Sequence, residues 1–292
     1  MNCQKIDAKA PLFCASCRTN IDITSENIYN IEKGDGFMMK QNNQTEMWSL
    51  NEKIEYTKRV ISESDNVVCL SGIGVVMECG ALNFNRDDVA YRIEDEYDRC
   101  PEEIMASVFY NVRMKQFYDF YKKELLNQKL VPTATYDALH KLQESGKLKA
   151  CITYNIYGLE VKMGIENVYE LDGSIHNNWC SKCGKTFPME YLRGSEGVPI
   201  CDSCKSAIRP GIRLHGERMR NNLLTKAANA CAQADVLLVL GTNLFDDMVQ
   251  FAVNHYQGDK LILVTAHEHF TDKAADIVIH EHVKDVLPKI VP

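Results

Sequence analysis

Four of the twelve cysteines stand as two matched pairs, Cys180-x2-Cys183 and Cys201-x2-Cys204, with seventeen residues between the pairs. A two-residue gap turns both thiolates of a pair toward one point, and two such pairs close a tetrahedron around zinc. Four thiolates leave no open coordination position, so the zinc predicted here is structural. Gly184 follows the second ligand, where a knuckle turn favours a positive φ. The stretch Trp179 to Ile208 has too few apolar residues to form a core unaided, so the metal supplies much of its stability. The competing readings are a redox disulfide or two unrelated pairs; the reducing conditions expected of a cytoplasmic chain favour metal. Cys14-Ala-Ser-Cys17, with Cys3 nearby, has no evident fourth ligand and reads as free thiols.

The rest of the chain has a different rhythm. Asn66 to Leu70 is a short β-branched run that ends in Ser71-Gly72-Ile73-Gly74. The shape recurs at Lys149 to Thr153 before Tyr154-Asn155-Ile156-Tyr157-Gly158, at Asp235 to Leu240 before Gly241-Thr242-Asn243, and at Lys260 to Val264 before Thr265-Ala266. Asn167 to Leu171 and Ile277 to Ile279 are shorter candidates. Apolar runs without polar alternation suit strands buried on both faces, as in a parallel sheet. Helical patterns fall around them, at Gln44 to Ser64, Tyr136 to Gln143 and Asn222 to Gln233. Strand, turn and helix in repetition predict an α/β fold, a Rossmann-like doubly wound parallel sheet.

Two stretches break that rhythm: charged, aromatic and helical Asp87 to Asn127, and the cysteine-bearing Trp179 to Ile208. The expected organisation is an N-terminal extension (1–45), a Rossmann-like unit (46–86, 128–178 and 209–292), and a small domain with a helical part (87–127) and a zinc-ribbon part (179–208). At 292 residues, with 45% apolar and 25% charged residues, the chain has the size and composition for this.

The formal net charge is −7. That argues against nucleic acid and anionic membranes as partners, both of which need a cationic footprint, and leaves basic protein partners open. The longest apolar run, Val236 to Leu240, is too short to span a bilayer. The opening MNCQKIDAKAPLF contains no apolar segment of signal-peptide length, so a cytoplasmic location is expected.

Glycine turns at strand ends are where backbone N–H groups meet a pyrophosphate. Gly72-Ile-Gly74 is an incomplete fingerprint, since Met77 stands where a third glycine belongs. The order of the pieces says more. SGIGVVMECGALNFNR, TYNIYGLE, NVYELDGS directly before the cysteines, IRPGIRLHGE, GTN and a closing VLPKI resemble the sirtuin family, from about Asn66 to the C-terminus.

That resemblance implies NAD binding by a Rossmann-type domain, a zinc ribbon, and removal of acyl groups from lysine or, in some members, ADP-ribosyl transfer. In the family's mechanism nicotinamide leaves C1′ of the ribose, the acyl oxygen takes its place, and a histidine is the base for the ribose hydroxyls. Here Asp172 stands at the histidine position. A free Asp titrates near ~3.9 and a free His near ~6.5, so the replacement is a weaker base. His176, four residues on, is expected at the surface or near the zinc ribbon.

The family's Asp-Phe-Arg triplet reads Asn83-Phe84-Asn85, with Arg86 adjacent. Its Gln-Asn-Ile-Asp stretch reads Tyr154-Asn155-Ile156-Tyr157, and Ala81 replaces a larger aliphatic residue. In the acyl-lysine tunnel, Arg213 and His215 stand where an aliphatic residue and a phenylalanine belong. A guanidinium there is costly unless an anion pairs with it, so closure or outward rotation is favoured over an acidic acyl substrate.

The nucleotide contacts implied by the resemblance are Gly72, Gly74, Phe84, Asn155, Gly241, Thr242, Asn243 and Thr265, with Asp172 and Asn155 in the catalytic positions. The expectation is a divergent sirtuin-like protein that binds NAD or ADP-ribose with lost or much reduced lysine deacetylation. The alternative is an active deacylase or ADP-ribosyltransferase using Asp172 as base.

Overall fold

In the computed structural model, Thr45 and residues 47–292 are described. The expectations for residues 1–44, including the Cys14/Cys17 pair, lie outside the described residues.

Six parallel strands form the main sheet: β1 (Val67–Ser71), β2 (Leu148–Thr153), β3 (Val168–Glu170), β7 (Val236–Leu240), β8 (Lys260–Val264) and β9 (Ile277–Ile279). Their spatial order is β3-β2-β1-β7-β8-β9. The chain thus builds outward from β1 in one direction, returns, and builds outward from β7 in the other. This is the doubly wound arrangement, and its switch point lies between the ends of β1 and β7.

All five residues of β1 and of β7 are buried, because each strand has helices on both sides. Val67 and Cys69 face one core, shared with helices Leu50–Glu63, Ala134–Glu144 and Val283–Ile290. Val68 and Leu70 face the other, shared with helices Asn221–Gln233 and Asp247–His255. Alternation across a pleat with a core on each face therefore produces a nearly continuous apolar run, broken in β1 only by Ser71 at its end.

The first helix begins at Leu50, later than the pattern from Gln44 predicts. Ser49 is its N-cap and closes a capping box with Glu52, whose carboxylate accepts from the Ser49 N–H at 2.7 Å. Asn167, expected to open a strand, adopts φ +47° instead, and β3 starts one residue later.

Residues Asp87 to Leu126 form short helices that end in a π-helical turn, Tyr121–Leu126. Their core is aromatic: Phe117, Tyr118, Phe120 and Tyr121 are fully buried, with Phe117 stacked on Tyr121 at 5.3 Å. The second sheet is antiparallel, with β4 (Asn178–Cys180) between β5 (Thr186–Phe187) and β6 (Ile208–Arg209). No helix among the described residues is long and apolar enough to cross a membrane.

Candidate functional site

The four paired cysteines converge. Cys180, Cys183, Cys201 and Cys204 bring their sulfurs within 4.8 Å of one another, the only such metal-binding group among the described residues. Cys180 and Cys204 sulfurs lie 3.3 Å apart, Cys183 and Cys201 sulfurs 3.7 Å. Ligands about 2.3 Å from zinc in a tetrahedron would stand about 3.8 Å from each other, so the set fits that ion with little adjustment.

Both knuckles use one geometry. Gly184 N–H donates to Cys180 C=O and Lys205 N–H to Cys201 C=O, each at 3.0 Å. Gly184 has φ +73° and Lys205 φ +61°. The Ser206 N–H lowers the Cys204 thiol toward the thiolate a metal needs, while the neighbouring sulfurs raise the Cys183 thiol, as one proton is shared among them.

At the switch point the turns after β1 and β7 touch backbone to backbone. Gly72 N–H donates to Leu240 C=O at 2.8 Å and Gly74 N–H to Gly241 C=O at 2.7 Å. A Cβ on Gly72 would lie 2.4 Å from Thr242 Cβ, and one on Gly74 would lie 2.6 Å from Gly241 O. Gly72 and Gly74, expected to offer N–H groups to a pyrophosphate, spend them on the end of β7 and its turn, and the Gly241 N–H goes to Val264 C=O at 2.8 Å. Their smallness serves this close approach.

Asn155 is buried and braces the same turn. Its amide nitrogen donates to Gly72 C=O at 3.0 Å and to Ser71 C=O at 3.2 Å. Asn243 closes its own loop, its side-chain oxygen accepting from the Phe245 and Asp246 N–H groups. Thr265 is buried at the end of β8, its N–H donating to Ile279 C=O at 3.1 Å.

Three polar groups here make contacts that family position does not give. The Tyr154 phenol donates to the Thr242 hydroxyl at 2.9 Å. Asp246 caps helix Asp247–His255, and burial raises its carboxyl above the ordinary range. Glu160, fully buried, accepts from the Ser71 hydroxyl at 2.8 Å, and burial raises its carboxyl too. Ser71 at the end of β1 was the available sequence signal for Glu160: a hydroxyl on a strand buried on both faces must find a partner.

Beside the switch point lies a cavity of about 190 Å³, with Ile73, Phe84, Asn85, Asn155, Tyr157 and His215 in its wall. This is room for one heteroaromatic ring rather than a whole dinucleotide. Burial pushes the Tyr157 phenol up to about 12, so it stays neutral. Arg86 does not turn in to replace the lost guanidinium; it is exposed and pairs with Asp88 at 2.9 Å. His176 is exposed, its ring nitrogen 3.1 Å from Tyr157 C=O.

Asp172 and Arg213 form an ion pair, with Arg213 Nε donating to Asp172 Oδ1 at 2.6 Å. The backbone brings them together. Gly173 bridges Ile212 in antiparallel fashion, and Arg213 N–H donates to Asp172 C=O at 2.7 Å. Gly173 and Gly211 permit the approach, since a Cβ on Gly173 would lie 2.2 Å from Gly211 O. Arg213 thus lies against a carboxylate in the wall of a second, smaller cavity, while His215 faces the first. His215 is fixed through its backbone, donating to Met105 C=O and accepting from Ser107 N–H, each at 3.0 Å.

A doubly wound sheet with a glycine-lined switch point and a four-cysteine ribbon defines a Rossmann-like nucleotide-binding class. Comparison narrows the class. A model of the Sir2 family matches residues 72–245. An NAD-dependent protein deacetylase of Clostridium acetobutylicum is 33% identical over 243 residues, 83% of this chain and 99% of that protein. One of Clostridium perfringens is 32% identical over 243 residues, 83% of this chain and all of its own length. Among solved structures, a Sir2 homologue–NAD complex superposes with a TM-score of 0.72 at 26% identity, covering 81% of this chain and 92% of that one. Sir2 bound to an acetylated peptide gives 0.67 at 26% identity, covering 83% and 97%. The chain belongs to the Sir2 family.

Proposed function

We propose that this chain binds NAD or ADP-ribose at the crevice between β1 and β7 and has lost, or greatly reduced, lysine deacetylation. The names of its relatives and the NAD complex among its structural neighbours bring the nucleotide to this chain. The turns at Gly72, Gly74 and Gly241 form the floor, and Thr242, Asn243 and Thr265 lie on the adenosine side. Phe84 and Asn155 face the ring-sized cavity. Bound NAD supplies the nicotinamide–ribose bond. The crevice belongs to the Rossmann-like unit of 46–86, 128–178 and 209–292, with 87–127 and 179–208 as the two parts of the small domain, and the protein acts in the cytoplasm.

The Asp172–Arg213 pair carries the reading. The carboxylate at the base position is engaged by the Arg213 guanidinium, and a ribose hydroxyl would have to compete with that ion pair for it. The same guanidinium stands at a position where an acyl-lysine tunnel needs an apolar side chain. Tyr157, a neutral phenol, is a poorer acceptor for a carboxamide than the carboxylate it replaces.

The 33% identity to deacetylases favours the alternative, an active deacylase or ADP-ribosyltransferase with Asp172 as base. Two measurements decide. Calorimetry with NAD and with ADP-ribose is expected to show binding, and an acetylated peptide incubated with NAD is expected to stay acetylated. Robust deacetylation overturns the loss of activity, and absence of heat with both nucleotides overturns the binding.

A further inference from the structure

The second cavity, about 80 Å³, carries four guanidinium groups in its wall, from Arg209, Arg213, Arg218 and Arg220, against the carboxyls of Glu170 and Glu217. The chain has a formal net charge of −7, so this positive excess is a local feature and does not follow from composition.

Three of the four are already held. Arg209 donates to Glu217, and its guanidinium lies 4.9 Å from the centre of the Tyr110 ring. Arg213 is paired with Asp172. Arg220 stands 5.9 Å over the Trp179 ring, which fixes it without neutralising it.

Two groups remain without a partner. Arg209 Nη1 is buried with no hydrogen-bond partner, on a side chain only 13% exposed. Arg218 is exposed, and among the described residues nothing pairs with it. Arg209 Nη1 is closed off from the cavity and contributes only its charge, whereas Arg218 has donors free for an anion.

The volume suits a few water molecules or one carboxylate-sized group and is too small for a nucleoside. The two resident carboxyls repel a dianion more strongly than a monoanion, which favours carboxylate over phosphate. Burial raises the Glu170 carboxyl above the ordinary range and lessens its repulsion of a carboxylate ligand. Arg218 and Arg220 are both exposed at the rim, so the group entering can stay attached to a longer chain.

The geometry points to a site for an acidic peptide segment, one Asp or Glu side chain entering the cavity against Arg218 and Arg220. The site lies apart from the ring-sized cavity and does not depend on nucleotide binding.

Fluorescence anisotropy of the full chain tests it with two labelled neutral peptides that differ only in Glu-Glu against Gln-Gln. The acidic peptide is expected to bind about tenfold tighter at low salt, with the difference shrinking as salt is added. Arg218→Gln should keep the thermal midpoint and remove most of that preference, while Arg218→Lys keeps part of it. Equal binding of the two peptides, binding of neither, or a preference unchanged in Arg218→Gln overturns the site. A phosphoserine peptide that binds more than tenfold tighter than the Glu peptide overturns its assignment to carboxylates. ADP-ribose calorimetry on Arg218→Gln should match the parent chain, so the anion site and the nucleotide crevice stand or fall separately.

Discussion

The phenol of Tyr154 donates to the hydroxyl of Thr242 across 2.9 Å, joining the chain after β2 to the chain after β7 with the end of β1 between them. Burial raises the Tyr154 phenol above its ordinary range, so the proton stays in place. The bond ties the two halves of the sheet at the point where a nucleotide would enter. Tyr154→Phe keeps the ring and removes the tie. We expect a loss of about 1 kcal/mol, near 2 °C in Tm, measured by thermal or urea unfolding. An unchanged midpoint would mean that water replaces the phenol at no cost.

The Asp172–Arg213 pair predicts a specific failure of repair. Asp172→His alone puts an imidazole opposite a guanidinium and strips Arg213 of its partner. It should lower stability and leave deacetylation of an acetylated peptide undetected. A double-mutant cycle with Asp172→Ala and Arg213→Ala should give a coupling on the order of 1 kcal/mol, because both side chains keep about a quarter of their exposure. Full catalytic rescue by Asp172→His would show that neither Arg213 nor Tyr157 obstructs the site.

The pair shows where reading a sequence stops. Buried strands announce themselves in β1 and β7 because two-sided burial selects a nearly unbroken apolar run, and the cysteines announce themselves because a metal fixes their spacing. The capping box of Ser49 and Glu52 was equally visible and sets the helix start that periodicity alone put too early. Asp172 and Arg213 are 41 residues apart, and their contact exists because Gly173 and Gly211 let two segments close on each other. Tyr154 reaches Thr242 only after three strands are laid side by side. Such contacts depend on the packed fold, and no local pattern encodes them.

Metal removal should act on the small sheet first. With a strong chelator, or in Cys183→Ser, β4, β5 and β6 lose the anchor that draws the two knuckles together. We expect one zinc released per chain, detected with a chromophoric chelator, and loss of amide protection across residues 178–209. Structural zinc in small peptides is worth about 10–16 kcal/mol, so this segment is not expected to stay ordered without it. Protection that persists after full zinc release would show that contacts with the helical residues suffice.

Two glycines predict losses with different causes. In Gly72→Ala the new methyl meets Thr242 Cβ at 2.4 Å and Gly241 O at 2.9 Å, so the two turns must separate. A cost of about 1–3 kcal/mol is expected, with weakened ADP-ribose binding. In Gly184→Ala nothing lies within 4 Å, and only the positive φ of +73° is penalised, at about 1 kcal/mol. Chemical denaturation and ADP-ribose calorimetry of both variants separate contact from backbone strain, and unaltered stability and binding in Gly72→Ala would contradict the close approach at the switch point.

Glu160 makes stability depend on pH in a direction opposite to that of a salt-bridged acid. Its side chain is fully buried, Oε1 accepts from Ser71, and Oε2 has no partner. In the unfolded chain the carboxyl titrates near 4.5, whereas burial raises it in the folded protein. Between those two values the folded state holds more protons than the unfolded state, so stability falls as pH rises through the window. The contribution is whole below the unfolded value and is lost by the folded one. Each unit of elevation is worth about 1.4 kcal/mol. Glu160→Gln keeps an oxygen for Ser71 and has no charge to develop. Its Tm should therefore gain on the parent protein as pH is raised from 5 to 8, measured in parallel thermal scans. Curves that stay parallel would mean that the ionised carboxylate finds a compensating donor in the folded chain.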